Sequence, residues 1–311
     1  MKVLLAFPLA LLSLAAPGLQ NPQNPQTPFR SGTEMVPVFT TVRDRDRLVT
    51  DLTKEDFTIT DNGKVQEIAY FSNDVGPFSA VLMLDRSRSM FAYQREVRDA
   101  ASAFVRQLLP TDYARVGSFG DNVGNRIVIK PSIFTSSKGE LLDILNAPLG
   151  LGGGSPVLIS IDQSINALMQ RQGRRVVIIF SDGYDEAAPS MMAVSPKVLI
   201  ERARQADVLV YALGFVRVQT RGDDKPATFT PPSPVLQQLA DETGGGYFTL
   251  QGEADMTATF TRVADELHRQ YWLAFAPQVR DGKVHSLQVR VRNKDLTVRA
   301  RPSYQAPAPA R

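Results

Sequence analysis

The stretch Val81-Leu82-Met83-Leu84-Asp85-Arg86-Ser87-Arg88-Ser89-Met90 decides how this chain is read. An apolar run ends abruptly in one carboxylate, followed by hydroxyls at alternate positions. The run is too short for a membrane span and is flanked by turn-formers, Gly76-Pro77 before it and the serine cluster after it. It therefore reads as a central parallel strand, buried on both faces. In open α/β sheets, ligands bind in the crevice beyond the C-terminal ends of such strands. Small oxygen donors at that place suit a hard cation such as Mg²⁺, which takes oxygen ligands and retains waters. D-x-S-x-S alone does not separate a cation site from an ordinary βα turn, because Asp and Ser are common turn residues.

Outward from this strand the pattern alternates strands with helices. Residues 95–109 place Val97, Ala100, Ala101, Phe104, Val105 and Leu108 on one helical face, closed by Pro110. Strands are expected at 114–119, 127–129, 175–180 and 208–214, and helices at 139–145, 157–170, 196–206, 234–243 and 255–268. This alternation predicts a doubly wound, mostly parallel, Rossmann-like α/β sheet over residues 78–268. The apolar strand 175–180 also ends in a hydroxyl and a carboxylate, Ser181-Asp182-Gly183. Between the two strands, Gly152-Gly153-Gly154-Ser155-Pro156 forms a glycine-rich loop that enters a helix and offers another hydroxyl.

Both flanks are β-like. Residues 36–42, 57–60 and 65–71 read as strands, with Asp61-Asn62-Gly63-Lys64 as a hairpin turn whose two central positions need positive φ. After His268, strands are expected at 271–275, 286–291 and 296–300. Neither flank has enough strands to bury its own face. Segments 33–77 and 269–304 are therefore expected to pair into one small antiparallel β-sandwich, into which the α/β domain is inserted.

The chain of 311 residues is 43% hydrophobic and 22% charged, as expected of a globular protein. Residues 1–18 have the basic start, short apolar centre and small residues of a signal peptide, which predicts an exported protein, periplasmic or extracellular. Residues 19–32 form a Pro/Gln/Asn-rich linker, and residues 305–311 are expected to be a disordered tail. No later run is long enough to span a membrane. The net charge of +3 is scattered, and no basic and aromatic residues interleave, which argues against nucleic acid. The absence of cysteine excludes disulfides, thiolate sites and a lipid-anchored cysteine. A histidine base would have to be His268 or His285, and both are expected to be structural, at a surface or an interface. No G-x-S-x-G is present, and no Lys-Ser/Thr follows the glycine loop as a P-loop requires.

In order, spacing and context, Asp85, Ser87, Ser89, Ser155 and Asp182 resemble the metal-ion-dependent adhesion site of a von Willebrand factor type A domain. That family reads D-x-S-x-S, then Thr on a Gly-Gly loop, then Asp in a Ser/Thr-Asp-Gly turn. Residues 51–57, 61–64, 243–248, 281–285 and 298–301 further resemble the exported bacterial proteins called VWFA-related, known especially from acidobacteria. The resemblance implies that Ser87, Ser89 and at times Ser155 bind the cation directly, with Asp85 and Asp182 reaching it directly or through water. It implies Mg²⁺, with Mn²⁺ and Ca²⁺ as alternatives, and one position left for an Asp or Glu carboxylate of a partner protein. The expected function is non-enzymatic, adhesion-type protein binding. A cell-envelope structural or assembly factor with a weakened metal site is the alternative, and a metal-assisted hydrolase ranks last for want of a base.

Two departures bear on that site. Ser155 stands where Thr is usual, and Arg88 where Gly is usual. Arg86, Arg88, Tyr184 and Asp185 are the rim candidates. The arginines could weaken cation binding, attract an acidic partner, or simply face solvent or pair with Asp121, Asp185 or Glu186.

Overall fold

The computed structural model describes residues 35–120, 126–147, 152–185, 194–219, 227–251 and 254–309. The expected signal peptide and linker, with Asp121 and Glu186, lie outside the described residues.

The N-terminal strands are β1 (Val36–Asp44), β2 (Arg47–Leu48), β3 (Phe57–Asp61), β4 (Lys64–Gln66) and β5 (Tyr70–Ser72). Next come β6 (Phe78–Asp85), α1 (Gln94–Gln107), β7 (Tyr113–Phe119), β8 (Val128–Thr135), α2 (Lys138–Asn146), α3 (Val157–Leu168) and β9 (Arg174–Ser181). These are followed by α4 (Pro196–Gln205), β10 (Val208–Phe215), β11 (Arg217–Gln219), β12 (Thr228–Thr230), α5 (Pro234–Thr243), β13 (Tyr247–Leu250) and α6 (Ala254–His268). The C-terminal strands are β14 (Tyr271–Phe275), β15 (Val284–Val291), β16 (Thr297–Arg299) and β17 (Ser303–Gln305).

The central sheet runs β13-β10-β9-β6-β7-β8. Neighbours are parallel except β8, which lies antiparallel to β7 at one edge and makes the sheet mixed. Every residue of β6 is buried, because helices cover both faces of the sheet. Ala80, Leu82 and Leu84 point into a core shared with α1 and α6, and Val81 and Met83 into one shared with α3, α4 and α5. This two-sided burial is why the strand reads as a continuous apolar run rather than an alternating one. The register pairs Leu84 with Phe180 on β9 and Asp85 with Phe119 on β7. Gly214 of β10 pairs with Ser181. Three adjacent strands thus end at the same level.

The terminal segments pair with each other. One antiparallel sheet has the order β16-β1-β14-β5, with β2 on β1, and the other the order β17-β15-β3-β4. Val38 lies opposite Leu273, and Ile59 opposite Val289. Both sheets contribute to one hydrophobic cluster that includes Val38, Phe57, Ile59, Tyr271, Phe275, Leu287 and Tyr304. The Asn-Gly hairpin forms as expected, with Asn62 and Gly63 both at positive φ.

Two expectations change. Residues 65–71 do not form one strand: β4 and β5 belong to different sheets. The chain turns between them because Ile68 packs inward and the Ala69 amide bonds the Ala274 carbonyl at 2.9 Å. The expected disordered tail begins inside the fold, since Gln305 pairs with Val284, and Ala306 is buried and donates its N–H to the Lys283 carbonyl at 2.8 Å. Among the described residues, no helix is long and apolar enough to cross a membrane.

Candidate metal centre

Asp85 closes β6 and is fully buried. Past it the chain turns into a 3-10 helix over Arg88–Tyr93, with Ser87 as its N-cap residue. The turn is locked by its own backbone: the Ser87 N–H donates to Asp85 Oδ1 at 2.8 Å. The side chain of Gln94 donates to the carbonyls of Asp85 and Met90 at 3.2 and 3.0 Å. Ser87 Oγ and Ser89 Oγ consequently face the same way, 3.2 Å apart.

The glycine loop reaches this turn through backbone alone. The Gly152 N–H donates to the Arg86 carbonyl at 3.0 Å, and Gly153 accepts from Arg88 N–H at 3.3 Å and donates to the Gly120 carbonyl at 2.9 Å. Gly120, at φ +80°, has to be glycine: a Cβ there would stand 2.7 Å from the Ser87 nitrogen and 2.8 Å from the Gly154 carbonyl oxygen. The loop so held delivers Ser155, whose hydroxyl donates to Asp85 Oδ2 at 3.0 Å.

The end of β9 supplies the rest. Ser181 donates to the same Asp85 Oδ2 at 2.6 Å and accepts from the Gly183 N–H at 2.8 Å. Asp182 is fully buried; its Oδ1 accepts the Tyr184 N–H at 3.2 Å, and its Oδ2 accepts Arg217 Nε at 2.5 Å. The Asp182 carbonyl takes the Ser233 N–H at 2.9 Å. An open cleft of about 410 Å³ lies over this cluster, lined by Ser87, Arg88, Ser89, Gly153, Gly154, Ser155 and Arg217.

Burial pushes the Asp85 carboxyl up to about 6, and the charge of Asp182 adds to the effect, while donation from Ser181 and Ser87 opposes it. Burial thus disfavours the ionised carboxylate, which its hydrogen-bond donors only partly offset.

The rim residues divide. Arg88 is exposed and lines the cleft. Arg86 is not a rim residue: it is 7% exposed and does not line the cleft. Its backbone is clamped between the Phe119 carbonyl and the Gly152 amide, which turns the side chain inward. Its Nε is buried without a hydrogen-bond partner among the described residues, and burial, aided by the nearby Arg98, lowers its guanidinium to about 10, still cationic at neutral pH. Tyr184 is half-buried beneath Arg217, whose guanidinium carbon sits 4.4 Å from the ring centroid. Asp185 is exposed and accepts the Leu158 N–H at 3.0 Å, so it caps the start of α3, and among the described residues it forms no ion pair with Arg86 or Arg88.

Sequence reasoning missed Arg217, Gly120 and the part played by Ser181. Arg217 carried a faint signal, a cation just past the third apolar strand, where a parallel sheet collects its ligands. Neither histidine lines the cleft. His268 is buried rather than at the surface, with Nε2 2.7 Å from Asp112 Oδ2. His285 is buried between Asp61 and Asp281. Among the described residues there is no group of three or more His, Cys, Asp or Glu arranged to hold a metal ion. A site of serine hydroxyls with two carboxylates is built differently.

Residues 80–184 match the family model of the von Willebrand factor type A domain. Among solved structures, the chain is similar to proximal thread matrix protein 1 from the mussel byssus. The TM-score is 0.50 at 15% identity, over 67% of this chain and 51% of that one. It is also similar to a von Willebrand factor type A protein from Catenulispora acidiphila, with TM-score 0.49 and 13% identity over 90% and 76% of the two chains. A third is an aerotolerance-related membrane protein from Bacteroides fragilis, with TM-score 0.47 and 14% identity over 61% and 98%. At 15% identity, the byssus likeness is one of fold. No curated protein matches the chain.

Proposed function

Since the chain contains a von Willebrand factor type A domain, we propose that it binds another protein through a divalent cation held by Ser87, Ser89 and Ser155, with Asp85 and Asp182 behind them. The observation that carries this reading is the 3.2 Å separation of the Ser87 and Ser89 hydroxyl oxygens in a cleft also lined by Ser155. Adjacent oxygens around an octahedral ion at Mg²⁺ bonding distance lie about 3 Å apart, so the pair fits one edge of such a sphere.

Asp85 acts as the organiser. It orients the hydroxyls of Ser155 and Ser181, and with Asp182 it supplies negative charge that no bulk water screens. The ion, Mg²⁺ in preference to Mn²⁺ or Ca²⁺, would offer an electrophilic position to an Asp or Glu side chain. Hydroxyl ligands leave it with little protein charge, so it attracts an anion strongly. Arg88 adds positive potential at the rim and favours the approach of an acidic partner. We read the protein as non-enzymatic, because both histidines are tied into carboxylate pairs away from the cleft.

The two terminal sheets, with their shared core, are read as a sandwich that carries the inserted domain, and the N-terminal leader pattern as marking an exported protein. A second reading, an envelope structural factor with a weakened cation site, draws on Arg217, which already occupies Asp182. Calorimetric titration with Mg²⁺, Mn²⁺ and Ca²⁺ of the wild type and Asp85→Ala decides between them. Saturable binding lost in the variant is expected, and no binding by the wild type would remove the cation-dependent reading.

A further inference from the structure

A buried carboxylate needs a counter-charge or a dense set of donors. Asp85 has the donors. Asp182, one strand away, has a cation from its own chain instead. Arg217 begins β11, immediately beyond β10, and donates Nε to Asp182 Oδ2 at 2.5 Å. Its guanidinium is stacked on Tyr184, which is itself fixed by its hydroxyl on the Pro231 carbonyl at 2.9 Å. The Arg217 side chain is 23% exposed and forms part of the wall of the cleft that holds Ser87, Ser89 and Ser155. With Tyr184 N–H on Oδ1 and Arg217 on Oδ2, both oxygens of Asp182 are engaged.

We propose that Arg217 is a tethered internal cation that exchanges with the divalent ion: a cation entering the cleft and Arg217 leaving Asp182 are one event. The proposal rests on the cation-binding reading above. Two positive charges cannot share one carboxylate a few ångström apart without repulsion, and the guanidinium is the one that can swing toward solvent, since its side chain is 23% exposed and already rests on the Tyr184 ring. The same hairpin holds the Asp182 turn from behind. Arg217 pairs with Thr230 across β11 and β12, and just beyond it Pro231 and Ser233 bond Tyr184 and Asp182. Occupancy of the cleft is therefore sensed by this hairpin.

The test is Mg²⁺ titration of the wild type, Arg217→Gln and Arg217→Lys by calorimetry, with the Arg217 Nε–H resonance followed by NMR and folding checked by circular dichroism. Arg217→Gln is expected to bind Mg²⁺ roughly ten- to a hundredfold more tightly, the size expected for removing one charge close to a divalent ion. Arg217→Lys keeps the charge and is expected to stay within about threefold of the wild type, which separates charge from packing. In the wild type, the Nε–H resonance, identified by its loss in Arg217→Gln, is expected to move as Mg²⁺ saturates. Mg²⁺ binding by Arg217→Gln alone also supports the exchange. Equal affinities, or a resonance that ignores Mg²⁺, would overturn the exchange while leaving the cation site standing. No binding by any of the three would overturn the cation site, and the exchange with it.

Discussion

Two polar clusters in this molecule are each built around two aspartates, to opposite ends. In the terminal sheets, His285 Nδ1 is 2.8 Å from Asp61 Oδ1 and its Nε2 is 3.0 Å from Asp281. The Tyr304 hydroxyl donates to Asp61 Oδ2 at 3.0 Å. Burial, with Asp61 accepting that hydrogen bond, raises the Tyr304 phenol well above its ordinary range. At the centre of the α/β sheet, Asp85 and Asp182 lie among serine hydroxyls under an open cleft. The first cluster is closed, and its donors and acceptors answer one another. The second borders an open cleft that Ser87, Ser89 and Ser155 line. A site is made by unspent coordination capacity beside a cleft, not by the presence of carboxylates and a histidine.

The sharpest way to break this contrast is His285→Ala. Removing the imidazole leaves the buried Asp61 and the half-exposed Asp281 without their hydrogen-bond partner, which costs about 1–3 kcal/mol for a buried polar group left unsatisfied, and more for a charged one. A loss of that order in urea-unfolding free energy is expected, with Mg²⁺ affinity unchanged. A parallel fall in Mg²⁺ affinity would mean that the two clusters are coupled. Ser87→Ala is the converse. It removes the hydroxyl that contacts Ser89 and helps stabilise the Asp85 carboxylate, and with it one proposed ligand. The folding free energy is expected to move by less than about 1 kcal/mol, whereas Mg²⁺ affinity in calorimetry falls about a hundredfold, equivalent to about 2.7 kcal/mol.

The contrast also explains what the amino-acid pattern could and could not disclose. The sheet was legible because β6, β9 and β10 are buried on both faces and so carry unbroken apolar runs, Val81–Leu84, Val176–Phe180 and Val208–Phe215. Asp85 and Asp182 were legible because each interrupts such a run at its C-terminal end. Arg217 was not, since nothing local distinguishes a cation that folds back across two strands from one that faces water. Arg86 misled for the same reason: its inward turn follows from the Phe119 carbonyl and Gly152 amide, long-range partners on other elements. Gly120 looked like any loop glycine until the backbone of Ser87 and Gly154 was placed against it. The division of residues 64–72 between two sheets depends on Ala69 finding the Ala274 carbonyl, a contact that no alternation pattern encodes.

Asp85 itself offers a test that uses pH. Its carboxyl is raised from 3.8 to about 6, so between those values the folded protein holds a proton that the unfolded chain has released. In chelator, stability is therefore expected to fall as pH rises across that window, by about 1–3 kcal/mol for this one group. Asp85→Asn removes the ionisable group while its carbonyl can still accept from the Ser87 N–H. The two serine hydroxyls at Oδ2 can rotate to accept from the amide. In chelator at pH 8, thermal unfolding of Asp85→Asn is expected to show it as more stable than the wild type, and the advantage should vanish below about pH 4. A wild type equally stable at pH 4 and pH 7 would show that the donors around Asp85 already offset its burial.

Ser155 gives the smallest effect and the finest discrimination. Its hydroxyl is aimed by a single bond to Asp85, at 3.0 Å, on a loop held otherwise by backbone contacts. Ser155→Thr keeps the hydroxyl and adds a methyl that restricts χ1, so less rotamer freedom is lost when the side chain becomes a ligand. Mg²⁺ affinity is expected to rise by about two- to threefold, the equivalent of a few tenths of a kcal/mol. The added methyl must fit where Ser155 is only 2% exposed. An affinity loss beyond about tenfold, with a lower melting temperature, would mean that the pocket around Ser155 is closed against a methyl. Serine at this position would then be a packing requirement of the glycine loop. A loss of affinity at unchanged melting temperature would instead mean that the hydroxyl must turn away from Asp85 to reach the ion, a rotation that the Thr methyl resists.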